Sequence, residues 1–173
     1  MFYIDLTICK MLLQFISKRH NQGGTEMANV YDVAKYILQK QGEMTTMKLQ
    51  KLTYYCQAWS VVWESSRIFK DRIEAWASGP VVPSLYNVHK GNFLIDDLWI
   101  GDHNNLTPTE KETIDAVLQT YGDKSAQWLS DLTHMENPWN DARKGIPSGQ
   151  NCEEEIPPSS LEEYYSSLTD AKA

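Results

Sequence analysis

Apolar residues recur at three- and four-residue intervals through most of this chain, and glycine, proline and capping residues punctuate the pattern. The first stretch opens at Val30. Asn29 stands as its N-cap, Asp32 sets a carboxylate at the positive end of the helix dipole, and Gly42 supplies a stop. Val33, Ala34, Ile37 and Leu38 fall on its inward face. Thr45 or Thr46 starts a longer helix that runs to about Trp63, with Leu49, Leu52, Cys56, Trp59 and Trp63 on one face. The length and apolar content of this second helix predict that it is the centre of the core.

Between Arg67 and Ala77 the helical period fails. Ile68-Phe69, then Ile73 and Ala75-Trp76, predict a small hairpin around Lys70-Asp71-Arg72. Gly79-Pro80 reads as a break, after which Val81 to Lys90 resumes as a helix with Pro83 in its first turn and Gly91 at its end. The stretch from Asp96 to Asn105 reads as irregular and polar. Thr107-Pro108-Thr109-Glu110 is a capping box with proline at the first helical position, and predicts a helix to Tyr121 closed by Gly122. Asp123 is the expected cap of a further helix with Ala126, Leu129 and Leu132 inward, and Asn137-Pro138 opens a short helix through Trp139 and Ala142 to Gly145. Residues 146 to 158 read as loop. Ser160 with Glu163 predicts a second capping box before a last helix carrying Leu161, Tyr164, Tyr165 and Leu168.

The expected fold is therefore mainly α: a compact helical domain of about six to seven helices with a small β-hairpin insertion. Residues 27–145 form its body, and residues 146–173, a loop plus a C-terminal helix, complete it. Residues 1–26 stand apart. Their apolar run Met11 to Ile16 is far shorter than the ~20 residues of a membrane span, and the basic residues follow it, opposite to a secretory signal. Gln22-Gly23-Gly24 can be encoded by CAA-GGA-GGT, a purine-rich ribosome-binding sequence just ahead of Met27. Residues 1–26 are accordingly expected to be a translated upstream leader or a disordered extension.

Composition narrows the function. The net charge is -7 and no basic block is longer than the pairs Lys18-Arg19 and Arg143-Lys144, so the phosphate-neutralising surface that direct nucleic-acid binding requires is missing. Cys9, Cys56 and Cys152 form no CxxC pair and no disulfide framework, which fits a reducing cytoplasm. His20, His89, His103 and His134 lack metal-binding spacing, no phosphate-cradling or nucleophile-elbow motif occurs, and no cofactor or metal is expected. The best enzyme candidate is Thr133-His134 with Glu136 and Cys56, but Cys56 lies among Leu49, Leu52 and Trp59, where a thiol behaves as a small hydrophobe. The expectation is a protein that is not an enzyme. Lys48, Gln50 and Lys51 read in isolation as a solvated helix face, and Glu153-Glu154-Glu155 as a mobile charged linker that could also steer a basic partner.

Taken jointly, these segments resemble the Panacea domain of SocA-like antitoxins. They are Asp32-Val33-Ala34 with Tyr36-Ile37-Leu38, Lys48-Leu49-Gln50-Lys51-Leu52 with Tyr54-Tyr55 and Gln57-Ala58-Trp59, Glu74-Ala75-Trp76, and Gly79-Pro80-Val81-Val82-Pro83 with Tyr86. Tyr121-Gly122, Leu129-Ser130, Thr133-His134 and Pro138-Trp139 with Ala142-Arg143 continue the pattern, so the resemblance spans about Asn29 to Arg143. Thr53 departs from it, where the family often has an apolar residue, and so does Cys56, where alanine is common. The resemblance implies a bacterial or prophage-encoded type II antitoxin that neutralises a cognate toxin encoded beside it by direct binding. Some members hand the partner to a protease, and a proteolytic adaptor is the alternative, ahead of a phage-encoded enzyme. The expected recognition surface is the segment of Trp76, Gly79, Pro80, Val81, Val82, Pro83 and Tyr86, whose glycine and prolines fix a rigid backbone; the competing reading is that this segment packs the hairpin on the helices. Lys48, Gln50, Gln57, Thr133 and His134 match the family pattern without being demanded by a plain core, and are expected to share a polar groove.

Overall fold

The computed structural model describes residues 27–147 and 149–170; the leader expected over 1–26 lies outside them. Seven α-helices stand among the described residues: α1 (Val30–Gln41), α2 (Thr46–Trp63), α3 (Pro83–His89), α4 (Pro108–Tyr121), α5 (Ala126–Met135), α6 (Asn137–Ala142) and α7 (Pro158–Asp170). Two short antiparallel pairs accompany them, β1 (Met44–Thr45) with β4 (Leu94–Ile95), and β2 (Glu74–Trp76) with β3 (Gly79–Val81). The mainly helical expectation holds.

The caps explain where the helices begin. Asn29 accepts from the amides of Tyr31 and Asp32, while the Asp32 carboxylate accepts from the Asn29 amide at 3.0 Å. Thr107 and Glu110 make the same reciprocal pair at α4. Gly42 ends α1 with φ 73°, a conformation glycine adopts without steric cost.

α2 runs through the middle of the molecule, packed against α1, α4, α5 and α7. Every residue from Leu49 to Val61 is buried, so this helix has no polar face, as expected of one enclosed on all sides. Its polar side chains must then find partners inside the protein, and four reach backbone: Gln50, Lys51, Gln57 and Ser60. Thr53 is the exception. Its hydroxyl has no hydrogen-bond partner among the described residues.

The structure relocates several expected boundaries. The hairpin turns at Ala77-Ser78, not around residues 70–72, and Gly79-Pro80 is strand β3 instead of a break. The following helix starts at Pro83, so Val81 and Val82 lie outside it. Ser125, not Asp123, caps α5 by accepting from the Trp128 amide. α7 starts at Pro158, two residues before the expected Ser160 cap. The acidic run is fastened in place: Ala75 N donates to Glu154 O at 2.9 Å, Ile156 N donates to Ile73 O at 2.8 Å, and Glu155 bridges Glu74, so this segment borders β2 opposite β3. α7 then seals α2 with Leu161 and Tyr165.

Candidate partner-binding surface

The β2–β3 hairpin, which carries most of the residues expected to meet a partner, is gripped through its backbone by side chains from three helices. From α2, the Lys51 ammonium donates to Pro80 O at 2.9 Å, and the Gln50 amide accepts from Val82 N at 2.8 Å while donating to Val82 O at 3.3 Å. From α5, the Ser130 hydroxyl donates to Ser78 O at 3.0 Å. Trp139 on α6 donates to Trp76 O at 2.8 Å, and Arg143 just beyond it donates to Ala75 O at 2.7 Å. Gly79 sits where these meet, with φ 99°. A Cβ there would fall 2.7 Å from the Thr133 hydroxyl and 2.8 Å from the Lys51 ammonium, so both conformation and space require glycine.

This packing leaves only part of the expected recognition segment at the surface. Val82 is fully buried and Val81 is 8% exposed, with Gly79 and Pro80 buried beside them, because β3 faces α2 and α5. Of the segment, Trp76 and Pro83 are half-buried and Tyr86 is 37% exposed. Trp76 and Tyr86 meet edge to face at 4.8 Å, and Tyr86 continues to His89 at 5.6 Å.

The five residues expected to line a polar groove are dispersed among separate tasks. Gln50 clamps Val82 and meets His89 Nε2 at 2.9 Å. Gln57 holds the chain after α2, donating to Phe69 O at 2.8 Å and accepting from Ile68 N at 2.9 Å. The Lys48 ammonium donates to Gly122 O at 2.7 Å, tying α2 to the end of α4. Thr133 donates to Ser130 O at 2.7 Å within α5, and His134 stacks on Trp139 at 4.2 Å. Gln50, Gln57, Lys48 and Thr133 hydrogen-bond to backbone at separate places, and His134 stacks on a ring.

Lys51 and Glu136 are among the buried titratable groups. Burial lowers the Lys51 ammonium to a pKa of about 7, and burial raises the Glu136 carboxyl to about 8. Glu136 accepts from the hydroxyls of Tyr165 at 2.7 Å and Tyr55 at 3.2 Å, and Tyr165 also meets the Tyr54 hydroxyl at 3.2 Å. This cluster joins α2, α7 and the residue between α5 and α6. Burial pushes the Cys56 thiol up, the opposite of what an activated nucleophile needs. No group of three or more His, Cys, Asp or Glu side chains that could hold a metal occurs among the described residues, and no helix there is long and apolar enough to cross a membrane.

The largest outward aromatic side chains are elsewhere, on the strap between α3 and α4. Phe93 is 77% exposed, Leu94 48% and Trp99 81%, while Ile95 and Leu98 between them are buried. The strap is fixed at both ends. Thr46 N donates to Phe93 O at 3.0 Å and β4 pairs with β1, then Lys35 donates to Leu98 O at 2.7 Å and Asp102 N donates to Asp32 at 2.7 Å. Sequence reasoning missed this surface, although Phe93, Leu94 and Trp99 stand in a stretch without helical period, where apolar residues have no predicted core to fill.

The family model described as antitoxin SocA-like, Panacea domain, matches residues 49–140, from the first buried turn of α2 into α6. No curated protein and no solved structure matches the chain.

Proposed function

The chain belongs to the SocA-like antitoxin, Panacea-domain family, and from that membership we propose that it is the antitoxin of a type II toxin–antitoxin pair, acting in the cytoplasm by binding its toxin directly. Family membership is the observation that carries this reading. The physical design agrees with it. Binding by occupation needs a scaffold that does not reorganise and a few large side chains presented from it, because ordering costs subtract from affinity. Here the hairpin backbone is held by five side chains from α2, α5 and the α6 region, and the strap is tied to α1 and α2. A binding role is also supported by the Glu136 carboxyl and the Lys51 ammonium, which are both enclosed, with their hydrogen bonds directed at the protein itself.

The test is a growth assay in which the gene beside this one is induced with and without residues 27–173. Toxicity of the neighbour relieved by this chain is the expected result. A neighbour that is harmless, or that stays toxic while this chain accumulates in soluble form, contradicts the proposal.

A further inference from the structure

We propose that the toxin is held by the strap of residues 92–105, and that the toxin face it takes has apolar sockets set among lysines and arginines; this rests on the antitoxin reading above. The first observation is the split between inward and outward apolar residues. Ile95 and Leu98 anchor the strap in the core, whereas Phe93, Leu94 and Trp99 are turned to solvent. The strap is already ordered: β1 and Thr46 hold its start, Lys35 holds Leu98, and Asp32 accepts from Asp102 N and from Asn105 at 3.3 Å. Gly101, with φ 90°, lets the backbone pass against Tyr31, where a Cβ would fall 2.6 Å from that residue's carbonyl carbon. A rigid strap offering two aromatic rings has little order left to lose on binding, and aromatic anchors of this kind dominate interface energetics. By contrast, Trp76 on the hairpin face is half-buried and already in contact with Tyr86, so a partner gains less there.

Charge chooses the occupant. Residues 92–105 include Asp96, Asp97 and Asp102 and no lysine or arginine, and Glu43 is exposed beside β1. Lys35 pairs with Asp97 at 3.5 Å, Lys90 is exposed at the end of α3, and Lys40 and Lys111 lie over the Tyr36 ring, which meets His103 at the far end of the strap. A second copy of the chain docked strap to strap would face these aspartates with their own images, an arrangement that like-charge repulsion opposes, whereas a basic rim around apolar sockets complements both features.

The experiment uses the full chain and the purified product of the gene beside it. Binding is measured by titration calorimetry at two salt concentrations for wild type, Phe93→Ala, Trp99→Ala, Asp96→Lys and the hairpin-face variant Tyr86→Ala, with the oligomeric state of each free chain followed by sedimentation. The expected result is roughly 30-fold weaker binding for Trp99→Ala, the loss of one central aromatic anchor. Asp96→Lys should weaken binding and flatten its salt dependence, with Tyr86→Ala close to wild type. All these side chains are exposed, so unchanged thermal unfolding shows that each variant is folded. Wild-type affinity in Phe93→Ala and Trp99→Ala, with loss in Tyr86→Ala, overturns the proposal in favour of the hairpin face. A wild-type dimer dispersed by Trp99→Ala overturns it in favour of self-association. A wild-type chain that neither binds nor neutralises the neighbour defeats the antitoxin reading, and this inference falls with it.

Discussion

Replacing Glu136 by glutamine should make the protein more stable at neutral pH and remove a slope from its stability curve. In the fold the carboxyl is enclosed by Tyr55 and Tyr165 and its pKa stands at about 8, against an ordinary value of 4.5. A folded-state pKa raised above the unfolded one means that the folded chain holds the extra proton between those two values. Its stabilising effect is complete below pH 4.5 and is lost as pH rises through about 8. At pH 7 the folded carboxyl stays protonated 2.5 pH units above the point where it ionises in the unfolded chain, and at ~1.4 kcal/mol per unit this is about 3 kcal/mol lost relative to acid pH. Glutamine keeps an acceptor for the two tyrosine hydroxyls and has no proton to hold, so it escapes that loss, less about 1 kcal/mol if its amide hydrogens find poorer partners. His89 and His134, both lowered by burial, contribute slopes of the opposite sign, which cancel when variant is subtracted from wild type. The assay is urea unfolding of both proteins at half-unit steps from pH 5 to pH 8. The difference should grow steadily with pH in favour of glutamine. A glutamine variant that is less stable at pH 7.5, by an amount that does not vary with pH, would show that the carboxylate is charged in the fold and held by the tyrosine hydroxyls.

Gly79→Ala should cost at least about 3 kcal/mol, because φ 99° strains any side chain and its Cβ would press on Thr133 and Lys51; a midpoint within 0.5 M urea of wild type would refute the packing described for the hairpin. Thr53→Val should stabilise by about 1 kcal/mol, since it exchanges a buried hydroxyl without a partner among the described residues for a methyl of similar size; destabilisation in a thermal melt would mean the hydroxyl is satisfied.

Local chemistry was legible where its partners lie within a few residues. The Asn29 cap with Asp32 and the Thr107 box with Glu110 close over three positions, and both form as their sequences suggest. The hairpin was displaced because its register is set by contacts from distant residues, Lys51, Trp139 and Arg143, which no window around residues 70–81 contains. Val81 and Val82 suit an anchor and a core equally well as side chains; only the helices covering β3 decide for the core. Lys51 shows the same limit, since a lysine beside Gln50 reads as solvated until Pro80 and Gly79 are found closing over it. The strap carried a usable signal in Phe93, Leu94 and Trp99, but their outward direction depends on which neighbours, Ile95 and Leu98, fill the core.

On the proposed function, this chain silences a toxin by occupying it, without chemistry of its own. The most direct measurement is to titrate the purified chain into an activity assay of its purified neighbour-encoded toxin, with no other protein present. Inhibition that saturates at a fixed molar ratio, with the toxin recovered intact and active after the complex is dissociated, is the predicted result. Full toxin activity at a molar excess of folded antitoxin, or a toxin that is covalently altered when recovered, would contradict it.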